Sequence, residues 1–317
     1  MCKYFAVKTR LFIFLAVLPL LCACAPRYET VSGYAQGGTF SVRYNASGVK
    51  APVSEIAAGI DSILLAVDTT LSGYNKKSIL SRRNAGEEVE LSDMFRDIES
   101  ISEHYREITG GAFDVAAGPL FDVWGFGFTS DSLPSEERIA EAIERCRRRE
   151  VLNFNAIAQG YTCDLVADFL HRNGVKDMLV DIGEIYCEGV NPKGLGWSIG
   201  IDTPEDGNEI PGAKLSGIWR SDGRAHGVVT SGNYRKFYIR DGRKYAHTID
   251  PRTGRPVEHN LLSATVVAPT ATEADALATF FMVVGFDEAR AWVESHDDLE
   301  ACLITTDGPW TSEGFYL

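Results

Sequence analysis

Apolar and polar positions along this chain follow two periods, and the switch between them separates strands from helices. Thr39–Tyr44, TFSVRY, alternates like a half-buried strand, and Gly37-Gly38 before it lets main chain approach a neighbour closely. From Pro52 and Ser54 to about Asp68 the period becomes helical, with Ile56, Ile60, Ile63, Leu64 and Val67 on one face. LSGYNKKSILSRRN follows as a loop with Tyr74 at its tip. A helix then runs from about Ser92 to Thr109 and stops at Gly110-Gly111. Residues 135–149 predict a charged surface helix, and NAIAQGYTCDLVADFLHRNGV predicts another entered through a small-residue turn. Strands dominate afterwards: DMLVDI, WSIGI, GVVTSG, KFYIRDG with RKYAHTI as a hairpin around Asp241-Gly242, SATVVAP, and a last hairpin in ACLITTDGPWTSEGFYL. ATEADALATFFMVVG is apolar nearly all round, which predicts a buried helix.

The first residues stand apart. Lys3, Lys8 and Arg10 flank an apolar run from Leu11 to Leu21, short for a bilayer span and suited to a secretory signal. Leu21-Cys22-Ala23-Cys24 reads as a lipobox, so cleavage leaves Cys24 as a lipidated N-terminus that anchors the protein to a membrane. The boundaries expected are a signal peptide over 1–23, the lipidated end and a short linker over 24–34, and one folded domain over 35–317. Removing three cations and no acid takes the formal charge of −13 to about −16, which argues against a nucleic-acid partner. Cys146, Cys163, Cys187 and Cys302 lie in apolar or helical contexts and form no C-x-x-C pair, so buried free thiols are expected.

Three stretches carry candidate chemistry. YAHTIDPRTGRPV, residues 245–257, holds His247 and Asp250 in a turn stiffened by Pro251, Gly254 and Pro256; it serves either as a platform for catalysis or as a hairpin corner tied by arginine. The aromatics of AFDVAAGPLFDVWGFG, among them Phe113, Trp124 and Phe128, either line a pocket for a flat ligand or build a bent core. Asp275 and Thr279 sit four apart on the buried helix and share a face, where their oxygens suit a hard divalent cation, though Thr272-x-x-Asp275 also fits a capping box. No P-loop, dinucleotide fingerprint, zinc-protease motif or serine nucleophile elbow is present.

In order, QGGTF (36–40), LSGYNKKSILSRRN (71–84), GGAFDVAAGPL (110–120) with WGFG (124–127), NAIAQGYTCD (155–164), TSGNYR (230–235), HTIDPRTGRPV (247–257) and ADALAT (274–279) resemble the FAD:protein FMN transferases, the ApbE-like flavin-transferase lipoproteins. The resemblance implies an α+β fold, with mixed or antiparallel sheets and helices around a central FAD cleft, and Mg2+ on the diphosphate. It places the magnesium ligands on Asp275, Thr279 and the main-chain carbonyl of Ala156. Flavin contacts fall on Gln36, Tyr74, Ala112, Phe113, Asp114, Gln159, Asp181 and Thr248, and the base on His247. The implied partner is an exported or membrane flavoprotein whose Thr or Ser hydroxyl accepts FMN, and the implied place is the periplasmic face of a membrane. Gln159 departs from a frequent lysine, Asn153 from an aspartate, and DIGEI has one glycine where two are common. The same chemistry with water as acceptor gives an FAD pyrophosphatase, and binding without turnover gives a flavin-holding lipoprotein.

Overall fold

The computed structural model describes residues 26–126, 133–205, 207–208, 210, 212–234, 237–240 and 243–315. The signal segment, Cys24, Phe128 and the Asp241-Gly242 turn lie outside the described residues. The chain opens with a hairpin of β1 (Tyr28–Ala35) and β2 (Gly38–Asn45). Helices α1 (Val53–Leu71), α2 (Ile79–Asn84), α3 (Asp93–Ile108), α4 (Gly118–Val123), α5 (Glu136–Arg147) and α6 (Ala158–Arg172) follow, and lead into β3 (Met178–Asp181) and β4 (Ile185–Glu188). Next come the hairpin of β5 (Ser198–Asp202) and β6 (Leu215–Arg220), then β7 (His226–Gly232), the hairpin of β8 (Phe237–Arg240) and β9 (Arg243–Ala246), and the short pair β10 (Ile249–Asp250) and β11 (Arg255–Pro256). The chain closes with β12 (Leu261–Ala268), α7 (Ala271–Val284), α8 (Phe286–Glu294), β13 (Glu300–Thr305) and β14 (Gly308–Thr311).

One eight-stranded antiparallel sheet, in the order β1-β2-β3-β4-β7-β12-β13-β14, organises the rest, giving the expected α+β class. Strand alternation sends Val42, Tyr44, Met178 and Val180 to a face covered by α1 and α6. Val229, Ala264, Val266 and Leu303 continue that face under α7, α3 and the 112–116 segment. On the opposite face Cys187, Val228, Val267 and Cys302 meet Trp197, Ile199 and Trp219 of the β5–β6 hairpin. The four cysteines are buried and free. No helix among the described residues is long and apolar enough to cross a membrane.

Two segments differ from the sequence expectation. Residues 28–34, assigned to a linker, form most of β1, so the folded body begins at Tyr28 rather than at residue 35. An edge strand with one solvated face tolerates the polar YETVSGYA pattern, and Gly33 leaves room for the Phe40 ring, which would lie 2.7 Å from a Cβ there. The second half of the 71–84 loop folds into α2, because the Ser78 side chain accepts the Ser81 N–H and starts a helical turn.

Candidate active site

Side chains from distant segments meet at the head of α6. Residues 153–157 reach it through a tight turn: Asn153 Oδ1 accepts the Asn155 N–H at 2.9 Å, and Phe154 O accepts the N–H groups of Ile157 and Ala158. No side chain caps the helix at Ile157. Its first turns then touch four other elements. Gln36, in the β1–β2 turn with φ 51°, donates from Nε2 to Thr162 Oγ1 at 2.6 Å. Gln159 donates from Nε2 to Ile182 O at 3.1 Å in the β3–β4 turn. Gly160 donates its N–H to Asp275 Oδ2 at 3.0 Å on α7. Asn155 donates from Nδ2 to the hydroxyl of Tyr74 at 3.5 Å, and Tyr74 is 66% exposed at its loop tip.

The contact with α7 depends on a missing side chain. A Cβ on Gly160 would lie 2.2 Å from Ala271 O and 2.8 Å from Asp275 Cβ, so only glycine lets the two helices meet this closely. Asp164, one turn further along α6, accepts the N–H groups of Ala271 at 2.9 Å and Thr272 at 2.8 Å, and also the Thr272 hydroxyl. It therefore satisfies N–H groups at the start of α7 that the helix leaves unpaired. Sequence reading missed Asp164, since the bonds it makes bridge segments more than a hundred residues apart.

The capping-box alternative for Asp275 does not hold in the structure. Thr270 is the N-cap of α7 and accepts the Glu273 N–H at 3.1 Å, which leaves Asp275 in the second turn of the helix with a different task. Asp275 is only 5% exposed. Burial pushes its carboxyl well above the usual carboxylate range; the Gly160 N–H pulls it back, and the like charge of Asp164 adds to the rise. A buried carboxylate whose charged neighbour is another carboxylate is costly, and a hard cation relieves that cost. Thr279, half-buried, lies one turn along the same face, and Ala156 is half-buried just ahead of α6. A carboxylate, a hydroxyl and a main-chain carbonyl are all hard oxygen donors, the chemistry that magnesium takes. Among the described residues no group of three or more His, Cys, Asp or Glu forms a metal site.

The turn around His247 is braced from behind. Asp250 holds Arg252 through paired bonds, Nε to Oδ1 at 3.0 Å and Nη2 to Oδ2 at 3.0 Å, and its carbonyl accepts the Gly254 N–H at 2.8 Å. Trp124 donates from Nε1 to Gly254 O at 2.7 Å, and Gly254, with φ 71°, admits the side chains of Ile139 and Ile143. Asp250 thus plays the structural part foreseen for a tied corner. His247 is half-buried, with the Phe126 ring edge-on at 6.5 Å between centroids. Thr248 donates its hydroxyl to Asn233 Oδ1 at 2.5 Å, and β10 packs against α7, which brings this turn to the helix carrying Asp275 and Thr279.

The remaining predicted residues are placed as follows. Ala112 and Phe113 are buried in the core cluster that contains Ile157 and Tyr161, and Phe113 meets Tyr105 edge-on at 6.1 Å. Trp124 is also buried, while Phe121 and Phe126 are half-buried and pack against the cluster of Leu120, Val123 and Ile139. Asp114 accepts the Ala116 N–H at 2.8 Å and pairs with Arg149 at 3.3 Å. A cavity of about 300 Å³ lined by Arg106, Asp114, Arg149, Pro251 and Arg252 opens beside the turn, away from Asp275. Asp181 accepts the Gly183 N–H at 3.2 Å, and burial raises its carboxyl while that bond lowers it.

The chain matches the sequence pattern of the ApbE family over residues 37–303. It belongs to the ApbE family. The FAD:protein FMN transferase of Escherichia coli (strain K12) is 34% identical over 312 residues, covering 88% of this chain and 87% of the relative. That of Haemophilus influenzae is 30% identical, covering 92% of each. Among solved structures, the flavin transferase ApbE from Vibrio cholerae superposes with a TM-score of 0.78 at 28% identity, covering 92% of this chain and 98% of that one. The Pseudomonas stutzeri flavinyl transferase ApbE, apo form, gives 0.79 at 32% identity, covering 91% and 95%. Within this ApbE scaffold the sequence departures have local explanations. Asn153 supplies the same turn-forming oxygen that an aspartate offers. The one glycine of DIGEI, Gly183, has φ 94° and lies where a Cβ would be 2.3 Å from the Gln159 amide.

Proposed function

We propose that this ApbE-family enzyme moves the FMN half of FAD onto a serine or threonine hydroxyl of an exported flavoprotein and releases AMP. The observation that carries this reading is the convergence at the head of α6, where Gln36, Tyr74, Gln159 and the buried Asp275 are gathered by direct contacts. FAD:protein FMN transferase is the activity of the relatives that match nearly the whole chain, and it is this chain's activity.

Each part of the site has a task in that reaction. The α6 terminus, which no side chain caps at Ile157, brings the positive end of its dipole to the diphosphate. Exposed Tyr74 offers an aromatic face for the isoalloxazine, while Ala112 and Phe113, whose side chains are spent in the core, bind through main chain. Asp114, Asp181 and Thr248 complete the flavin cleft. Asp275, Thr279 and the Ala156 carbonyl hold Mg2+, which supplies charge neutralisation at the diphosphate. With glutamine rather than lysine at 159, that neutralisation rests more on the metal side of the site. His247 takes the proton of the acceptor hydroxyl as its oxygen bonds to the FMN-side phosphorus and the phosphorus–oxygen bond to AMP breaks.

His247→Asn tests the base. It keeps a hydrogen bond but cannot accept the proton, so FMN transfer should fall about 10²–10⁴-fold with FAD binding unchanged. Near-normal transfer would overturn the assignment, and lost binding would make His247 a structural part of the turn. We assign the protein to the periplasmic face of a membrane through acyl chains on Cys24; Cys24→Ala should move it to the soluble fraction, and retention on membranes after a salt wash would place the anchor elsewhere.

A further inference from the structure

His247 sits where an excursion of the chain returns to the body of the protein. β7 ends at Gly232, and the chain then leaves the eight-stranded sheet for the β8–β9 hairpin, which forms a separate two-stranded sheet with Phe237 facing Ala246. His247 follows β9 directly. A two-stranded hairpin is marginally stable by itself, so it does little to fix the residue at its exit. The place of His247 depends instead on how the root of the excursion is tied.

The outgoing side of that root is firmly held. Asn233 is the first residue after β7, and its N–H still donates to Leu262 O of β12 at 2.9 Å. Tyr234 is buried with its ring against Gly232, where a Cβ would lie 2.7 Å from it. The returning side is tied twice at Thr248. Its carbonyl accepts the Val257 N–H at 3.1 Å, which closes the HTIDPRTG turn on itself. Its hydroxyl donates to Asn233 Oδ1 at 2.5 Å, which joins the two sides of the root across fifteen residues. Trp124 braces the far side of the turn through Gly254, whereas the Asn233 bond acts one residue from His247. Asn233 is 8% exposed, so solvent competes little for that bond.

We propose that Asn233 is a positioning residue for FMN transfer: by holding the Thr248 hydroxyl it clasps the neck of the excursion to the edge of the sheet and fixes the peptide that carries His247. The inference rests on His247 being the base. Asn233 acts through Thr248 and moves no proton itself, so its loss misplaces the base and leaves the base chemistry intact.

Asn233→Ala and Thr248→Val each remove one side of the clasp, the second with little change of volume, and Asn233→Asp keeps an acceptor oxygen in place. Thermal melts set a temperature at which every variant is folded. Hydrogen exchange on the full chain then reads the clasp without turnover: amides of 244–250 should exchange faster in Asn233→Ala and Thr248→Val than in wild type and Asn233→Asp, with those of β12 unchanged. Transfer from FAD with magnesium to an exported flavoprotein reads the consequence. In Asn233→Ala kcat should fall about 10²-fold, the loss for a catalytic group displaced by about 1 Å, with FAD affinity changing far less, and Asn233→Asp should recover it. The double variant Asn233→Ala/Thr248→Val should be no slower than the slower single variant, since both remove one bond. Unchanged exchange in Asn233→Ala overturns the clasp. Faster exchange with wild-type kcat, or losses that multiply in the double variant, overturns the positioning role. Normal transfer by His247→Asn overturns the base assignment instead, and the exchange still decides the clasp.

Discussion

Gly160→Ala is the sharpest structural probe of the site, because one methyl group acts on the contact between α6 and α7 alone. The added Cβ would sit 2.2 Å from Ala271 O and 2.8 Å from Asp275 Cβ, where ordinary contact begins at 3.4 Å. Relief therefore needs about 1.2 Å of separation between the helices, against main chain that cannot swing aside. Overpacking of that kind costs about 1–3 kcal/mol of stability. The same shift stretches the 3.0 Å bond from Gly160 N–H to Asp275 and moves the carboxylate relative to the Ala156 carbonyl. A displacement of about 1 Å in a catalytic group lowers rate about 10²-fold. FMN transfer measured against magnesium concentration, with a thermal melt on the same sample, reads both effects. Gly59→Ala is the control: its Cβ would meet the Phe169 ring at 2.1 Å, remote from Asp275, so stability should fall with the magnesium dependence unchanged. A Gly160→Ala enzyme with wild-type rate and magnesium dependence would refute the reasoning.

Asp164→Asn leaves one acceptor oxygen for three donors at the start of α7 and should lower stability by about 1–3 kcal/mol; an unchanged melt would show that the helix start is held by other bonds. Asp275 sets a pH dependence of the metal-free protein. Its carboxyl is raised by burial in the folded state, so its contribution is fully present below the ordinary carboxylate value of about 4 and is lost as pH rises through the raised value. Melts at about pH 5 and about pH 8 should differ less in Asp275→Asn than in wild type, and magnesium should raise the melt at the higher pH in wild type only. Identical pH dependence in both would remove Asp275 as the titrating group.

Much of the fold and part of the site can be read from the sequence because the signals are local. The all-round apolar pattern of ATEADALATFFMVVG gives α7 as a buried helix, and the four-residue spacing of Asp275 and Thr279 puts them on one face. The turn of HTIDPRTG and the small-residue entry to α6 are likewise written in consecutive residues. What escapes is long-range. Asp164 looks like any helix carboxylate until α7 is packed against it, and Thr270 rather than Thr272 caps α7 because the helix begins one residue after Thr270. β1 reads as a polar linker because an edge strand needs little apolar patterning, and the pairing partner that makes it a strand lies across a turn. Gly160 gives no hint in sequence that its missing Cβ is what lets Asp275 approach.

The proposed passage of FMN from FAD to a protein hydroxyl at the head of α6 can be read from its products. Incubating the full chain with FAD, magnesium and an exported flavoprotein, and weighing the acceptor by mass spectrometry while quantifying AMP, tests it most directly. The acceptor should be heavier by one FMN on a serine or threonine, with one AMP released per modified acceptor, and neither product should form with Asp275→Asn. FMN and AMP set free beside an unmodified acceptor would contradict it.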